Sequence, residues 1–302
     1  MILIPKVKQD IIDDYFKAAK SFYITFLNDL KTNGLATNLI SYVSDPTTGN
    51  YMDDKLREII VGNRLSLQNI INIANGLGKN DYSKKLLSDF GRTKEYRLLS
   101  ENINVNICPY CNRTYIHALK YRKIKPEYDH YYPHKSYSYL AISLFNLVPC
   151  CSLCNKMKGD ADPKNDNIIY PYEEEFGDDV YFDLKYKTPL DLLCNKRRIV
   201  VEIEHKPYLP KPAWFDNSVD TIFKLKDFYQ KHEDYIKSII ELTRIYGNNR
   251  INSIFNSFSW LHKDGIESLK SVLYANYAAK DLWHTKILSK LTFDIVKRFE
   301  KR

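Results

Sequence analysis

Apolar residues return every three or four positions through the N-terminal third of the chain and again through its C-terminal third. Ile11, Ile12, Tyr15, Phe16, Ala19, Phe22, Tyr23 and Phe26 lie on one helical face, which predicts a helix over residues 9–33 stopped by Asn33-Gly34. The turn-forming run from Ser44 to Asn50 predicts a loop. A second helical pattern covers 53–77, through Leu56, Ile59, Ile60, Leu65, Leu67, Ile70, Ile71 and Ile73, with Gly62-Asn63 as the point that splits it. A shorter helix is expected over 82–90. Beyond Asn217 the period is again helical. One helix is marked by Ile222, Leu225, Phe228, Tyr229, Tyr235, Ile236, Ile239 and Ile240, another by residues 251–261, and one or two more by 266–299.

Between these regions the pattern shortens. Strand-type residues flank Gly177-Asp178 within 168–184, and 199–203 reads Ile-Val-Val-Glu-Ile, an apolar strand. Pro207, Pro210 and Pro212 then break the chain and mark the expected domain boundary. Four segments follow: a helical region over 1–100, a metal-binding module over 101–172, short strands and a linker over 173–213, and a second helical region over 214–302. The expected fold class is α+β, mostly α, with one small module held between helical regions.

Composition narrows the class. No apolar run approaches the roughly 20 residues that span a bilayer, and the opening MILIPKVKQDII turns polar too early for a signal peptide. A cytoplasmic protein without membrane contact is expected. The net charge of +8 over 302 residues suits a nucleic-acid partner, because cationic side chains displace counterions from phosphates. The 24 tyrosines reflect a general Lys, Ile, Asn and Tyr bias more than a base-stacking surface.

The chemistry is concentrated between Cys108 and Asp160. Cys108/Cys111 and Cys151/Cys154 form two CxxC pairs across a loop of about forty residues. In a reducing compartment such pairs serve metal binding or redox exchange, and no thioredoxin-like βαβ pattern surrounds either. Four thiolates close the tetrahedral sphere of Zn2+ and leave no position for water, so this zinc is expected to be structural. Cys151 is chosen over Cys150 because its spacing to Cys154 mirrors the first pair. Cys150 then becomes a core residue, and the isolated Cys194 a buried or free thiol.

A second set lies inside and just after that loop. Tyr128-Asp129-His130 with Pro133, then Phe145-Asn146-Leu147-Val148-Pro149, then Cys151-Ser-Leu-Cys154-Asn155 with Lys158-Gly159, resembles the HNH endonuclease superfamily, whose fold is ββα-metal. The order, spacing and flanking residues agree together over less than a fifth of the chain. Where the family often ends on His this chain has Asn155, as in its HNN variant. The resemblance implies that His130 is the general base, that Asp129 and Asn155 bind a catalytic Mg2+ or Mn2+, and that Asn146 braces the loop presenting His130 through hydrogen bonds to backbone. The chemistry is consistent in itself. A neutral imidazole can deprotonate water near neutral pH, and a hard cation on oxygen ligands can stabilise a phosphate and its leaving oxygen. His134 is weighed as a further metal or phosphate contact, and His117 as a competing ligand.

Arg113, Lys120, Arg122, Lys123, Lys125, Lys135, Lys156 and Lys158 surround this core, and Arg113, Lys135, Lys156 and Lys158 are the expected phosphate contacts. Lys196-Arg197-Arg198 forms a separate basic cluster. The expected activity is hydrolysis of phosphodiester bonds in DNA. A looser resemblance, carried by CPYCNRTYI and FNLVPCCSLCN, is to HNH nucleases of bacterial anti-phage defence, the Septu type and retron-associated, which implies an ATPase partner. The competing class is a non-catalytic zinc module that binds nucleic acid or protein. It needs the four cysteines but not Asp129, His130 and Asn155.

Overall fold

The structure is a computed structural model that describes residues 1–74, 82–118, 125–192, 199–258, 260 and 265–300. It is mostly helical, with two small two-stranded sheets. Two compact units divide it.

The first unit takes residues 5–106 and 116–166. It opens with α1 (Gln9–Thr32), which buries Tyr15, Phe16, Ala19, Tyr23, Phe26, Leu27 and Leu30 along one stripe. Asp10 near its start and Lys31 near its end complement the helix dipole. Next come α2 (Thr37–Val43), α3 (Asp53–Ile60) and α4 (Arg64–Ile73). The expected break falls between α3 and α4 for two local reasons. A Cβ at Gly62 would lie 2.0 Å from the Glu58 carbonyl oxygen, and the Asn63 side chain caps α4 by accepting from Ser66 N at 3.0 Å. The helices α5 (Ser83–Phe90), α6 (Lys94–Arg97) and α7 (Leu99–Asn102) complete the helical part. Phe90 knits it together, meeting Tyr15, Phe22 and Tyr96 edge-on.

The rest of this unit is a strand pair and a helix. β1 (Glu127–His130) pairs antiparallel with β2 (Leu147–Cys150), Glu127 opposite Cys150 and His130 opposite Leu147. α8 (Ser152–Lys158) follows β2 after a single residue and packs on β1, and α9 (Pro163–Asp166) ends the unit. Every residue of β2 is buried, so it reads as an apolar run without alternation.

The second unit takes residues 1–4, 107–115 and 167–302. β3 (Val180–Lys185) pairs antiparallel with β4 (Val200–His205), and Val180, Phe182, Leu184, Val201 and Ile203 point inward. A π-helical turn (Asn217–Ile222) precedes α10 (Leu225–Gln230), which packs on β4. Then come α11 (Glu233–Ile245), α12 (Asn248–Phe258), α13 (Ile266–Leu273) and α14 (Ser289–Phe299), with α14 lying on β3 and against α11. The buried Lys290 pairs with Asp294 at 2.6 Å, and Asp294 also accepts from Phe182 N at 2.9 Å.

Several expectations need correction. The prolines at 207–212 do not end a domain, because the helices after them close the sheet that precedes them. The 101–172 module is not one unit; residues 107–115 belong with the C-terminal helices, where Ile2 N and Tyr229 Oη bond to the carbonyls of Pro109 and Cys111. No strand precedes Gly177, because Tyr170 starts a turn that holds Glu173 and Glu174. The first C-terminal helix is three pieces, interrupted by Lys224 at φ +46° and by a turn at Lys231-His232. Among the described residues no helix is long and apolar enough to cross a membrane.

Asn112 is the junction of the second unit. It is fully buried at φ +49°. Its Nδ2 donates to the carbonyls of Trp283 and Lys286, and its Oδ1 accepts from Ser289 Oγ and Lys290 N. Asn112→Ala removes all four bonds and puts a residue ill-suited to that φ in their place. It should destabilise the chain by about 2–4 kcal/mol in chemical denaturation, from partners left unpaired.

Candidate metal centre and imidazole site

The sulfurs of Cys108, Cys111, Cys151 and Cys154 all lie within 4.8 Å of one another, and all four residues are buried. Tetrahedral zinc with Zn–S bonds near 2.3 Å needs sulfurs about 3.8 Å apart, so the cluster has the size and donor chemistry for such an ion. Each knuckle has its own local cause. Cys108 N donates to Thr114 O and Asn112 N to Cys108 O, closing a tight turn. Cys151 caps α8, its sulfur accepting from Cys154 N. Cys150 is buried on β2 outside the cluster, and burial pushes its thiol well above the usual range. His117 is exposed and is not among the clustered ligands. Cys194, Lys120, Arg122, Lys123 and Lys196-Arg197-Arg198 lie outside the described residues.

On β1, Glu127 and Asp129 share one strand face by the period of two. On α8, Asn155 and Lys158 share one helix face by the period of three to four. The two faces meet. Asn155 Nδ2 donates to Glu127 Oε2 at 2.7 Å. Lys158 Nζ reaches Asp129 Oδ1 at 3.0 Å and the His130 carbonyl at 2.7 Å. Lys158 and Asp129 are almost fully buried, so this ammonium faces a carboxylate and not an open phosphate surface. Lys156 is exposed on the same helix. Lys135 is exposed and pairs with Asp160 at 2.8 Å. Arg113 lies over the Phe228 ring and donates to His232 Nε2 at 3.1 Å.

His130 ends β1 half-buried. Its Nε2 donates to the Ala141 carbonyl at 2.9 Å. A carbonyl cannot donate, so the proton is on Nε2, and the neutral ring presents its lone pair at Nδ1. Burial first, then the neighbouring His134 and Lys158, pull its pKa down to about 3, which keeps the ring neutral. His134 sits beside it, ring centroids 4.7 Å apart, with its Nδ1 hydrogen-bonded to Ser83 Oγ at 3.0 Å.

Asn146 is fully buried just before β2. Its Oδ1 accepts from Tyr132 N at 2.7 Å, and its Nδ2 donates to the carbonyls of Tyr132 and Leu140 at 3.1 and 2.9 Å. Its own carbonyl accepts from Tyr131 N at 2.9 Å. One side chain thereby fastens both ends of the 131–146 loop.

Sequence reasoning missed four contributors. Glu127 was detectable, being two residues before Asp129 on the same strand face. The Ala141 carbonyl was not, because every residue type carries one. Nor were Tyr15 and Tyr23, whose partners are also backbone carbonyls.

Two outcomes follow from this geometry. Cys154→Ser should lower metal content by mass spectrometry and lower the melting temperature, since metal binding at such a cluster is part of the folding energy. The buried histidines contribute to the acid side of stability. His130 and His232 both have lowered pKa values, by burial first. Between the folded and unfolded pKa values the unfolded chain binds more protons. Their contribution is therefore complete above about 6.5 and is lost as pH falls toward the folded values. Melting temperature should decline on acidification below about 6.5, and His232→Asn should flatten part of that decline.

No family model matches this chain, and no solved structure matches it. It is similar to a Septu protein PtuB of Bacillus thuringiensis, 31% identical over 96 residues that make up 29% of this chain. The match spans 36% of that relative's length. The resemblance to that Septu protein is therefore distant and partial.

Proposed function

We propose that this chain is a metal-dependent endonuclease of the HNH type that hydrolyses phosphodiester bonds in DNA. The observation that carries the reading is the state of His130. Its Nε2–H is held by a backbone carbonyl and the ring is neutral, so Nδ1 is the basic atom; the preceding strand residue, Asp129, is a buried carboxylate, and Asn155 on α8 bonds to Glu127 of the same strand.

In this reading water attacks the phosphorus in line, its proton passes to His130 Nδ1, and the P–O3′ bond breaks. Asp129 and Asn155 would hold Mg2+ or Mn2+, with oxygen donors of the kind such ions prefer. When bound, the ion supplies charge stabilisation at the phosphate and leaving oxygen. Asn146 holds the loop so that His130 keeps its place on the strand. Lys156, Lys135 and Arg113 would contact phosphates, Lys156 and Lys135 from exposed positions and Arg113 after release from His232. Lys158 would act from beneath, as the counter-charge of Asp129. The four cysteines would hold structural Zn2+.

The likeness to a Septu protein supports a role in bacterial anti-phage defence, with an ATPase as partner. The second reading, a zinc module that binds DNA or protein without cutting, has one observation in its favour. Asp129 is already neutralised by Lys158.

A plasmid-cleavage assay with Mg2+ or Mn2+, with zinc measured on the same samples, separates the two. His130→Ala should lower the cleavage rate by about 10²–10⁴-fold, the usual worth of a positioned base, with DNA affinity and zinc content unchanged. A wild type that binds DNA but does not cut under either metal, with and without an ATPase partner, would leave the binding module as the function.

A further inference from the structure

The N-terminal helices carry no chemical motif, yet they reach the segment that holds His130. Residues 139–142 are buried, and their four consecutive carbonyls each accept one side-chain donor. Tyr23 Oη donates to Tyr139 O at 2.9 Å, and Asn146 Nδ2 to Leu140 O at 2.9 Å. His130 Nε2 donates to Ala141 O at 2.9 Å, and Tyr15 Oη to Ile142 O at 3.0 Å. The two tyrosines come from one helix, α1, two turns apart. Their carbonyl partners bracket the pair that receives Asn146 and His130.

We propose that Tyr15 and Tyr23 are positioning residues for His130, acting through the 139–142 segment. The inference rests on the nuclease reading above. A single hydrogen bond fixes the far nitrogen of an imidazole only as well as its acceptor is fixed. The acceptor here is a carbonyl in a short turn with no sheet ladder to hold it. Buried carbonyls must be paired, and pairing those of Tyr139 and Ile142 with phenols anchors the turn to a helix more than a hundred residues away in sequence. The phenol rings are themselves fixed by packing, Tyr15 on Phe90 at 5.3 Å between centroids and Tyr23 on Phe26 at 5.7 Å. Each hydroxyl thus transmits the position of α1 to the turn. The same region touches the imidazole by a second route, since Ser83 of α5 bonds to His134, whose ring lies against that of His130. A displacement of the base on the order of 1 Å is enough to cost about a hundredfold in rate.

The test uses the zinc-replete full chain. Tyr15→Phe and Tyr23→Phe delete only the hydroxyls and keep the ring packing. Tyr51→Phe is the control, because its hydroxyl bonds to Asn28 at an exposed position. Two readouts are taken at constant pH: kcat and KM for plasmid cleavage, and the rate at which diethylpyrocarbonate modifies His130, followed by peptide mass spectrometry. Each active-site-facing variant should lower kcat about tenfold and the pair about a hundredfold, with KM unchanged. His130 should be modified several-fold faster in both, and Tyr51→Phe should alter neither readout. Variants that lose melting temperature while keeping wild-type kcat and wild-type His130 modification would overturn the proposal and leave the tyrosines a purely structural role. Failure of the nuclease reading looks different. The wild type would not cut, or His130→Ala would cut equally fast, and the modification rates would still decide whether the tyrosines hold the ring.

Discussion

The first unit depends on a buried amide. The loop from Tyr131 to Asn146 leaves β1 and returns to β2, and residues 131–133 and 138–144 of it are buried, where backbone groups cannot turn to water. Asn146 has two donors and one strong acceptor on a short stem, and it spends them all on the loop's own backbone. Asp would lose both donors and bring a charge; Ala would take the side-chain partner from Tyr132 N and Tyr132 O and leave Leu140 O with Ser143 N alone. A loop fastened at both ends by one side chain holds β1 and β2 in register without a tight turn between them. His130 at the end of β1 is then set by its strand on one side and by the turn at Ala141 on the other.

The second constraint is charge. Asp129 and Lys158 are buried together, and burying either alone would be strongly unfavourable. Lys158 also satisfies the His130 carbonyl, so its ammonium meets two oxygen acceptors. The pair fastens α8 to β1 at the point where the strand passes from a buried acid to a half-buried base.

Much of this was legible in the chain. The helices α1, α3, α4 and α5 follow their apolar period, and the break at Gly62-Asn63 has both a steric and a capping cause that the residue types announce. The cysteine spacing selected four sulfurs that do lie together. The failures have a common origin. The prolines at 207–212 looked like a boundary because local rules see a broken chain, whereas the unit is defined by α14 lying on β3 more than a hundred residues earlier. Lys158 looked like a phosphate contact because lysine is usually exposed. Its burial depends on Asp129 standing opposite, which is a tertiary fact. Arg113 likewise has tertiary partners that the sequence does not show, its guanidinium lying over Phe228 and donating to His232.

The N-terminal helices illustrate why motif reading stops where it does. A motif is a set of side chains that touch the reacting atoms, so its residue types are constrained by chemistry and their spacing by the local fold. A residue that acts on a backbone carbonyl escapes both constraints. Its partner can be any amino acid, and its distance in sequence is set only by how the chain returns. Tyr15 and Tyr23 are indistinguishable in the sequence from the other tyrosines of a tyrosine-rich chain. What separates them is that each keeps its ring in the helical core while its hydroxyl passes through to the turn under His130. Tyrosine suits that task because one rigid side chain can bury an aromatic face and still deliver a donor at its tip. The apolar stripe of α1 and the placement of the imidazole are therefore two consequences of the same residues. A helix that reads as mere packing is also what holds the turn in place.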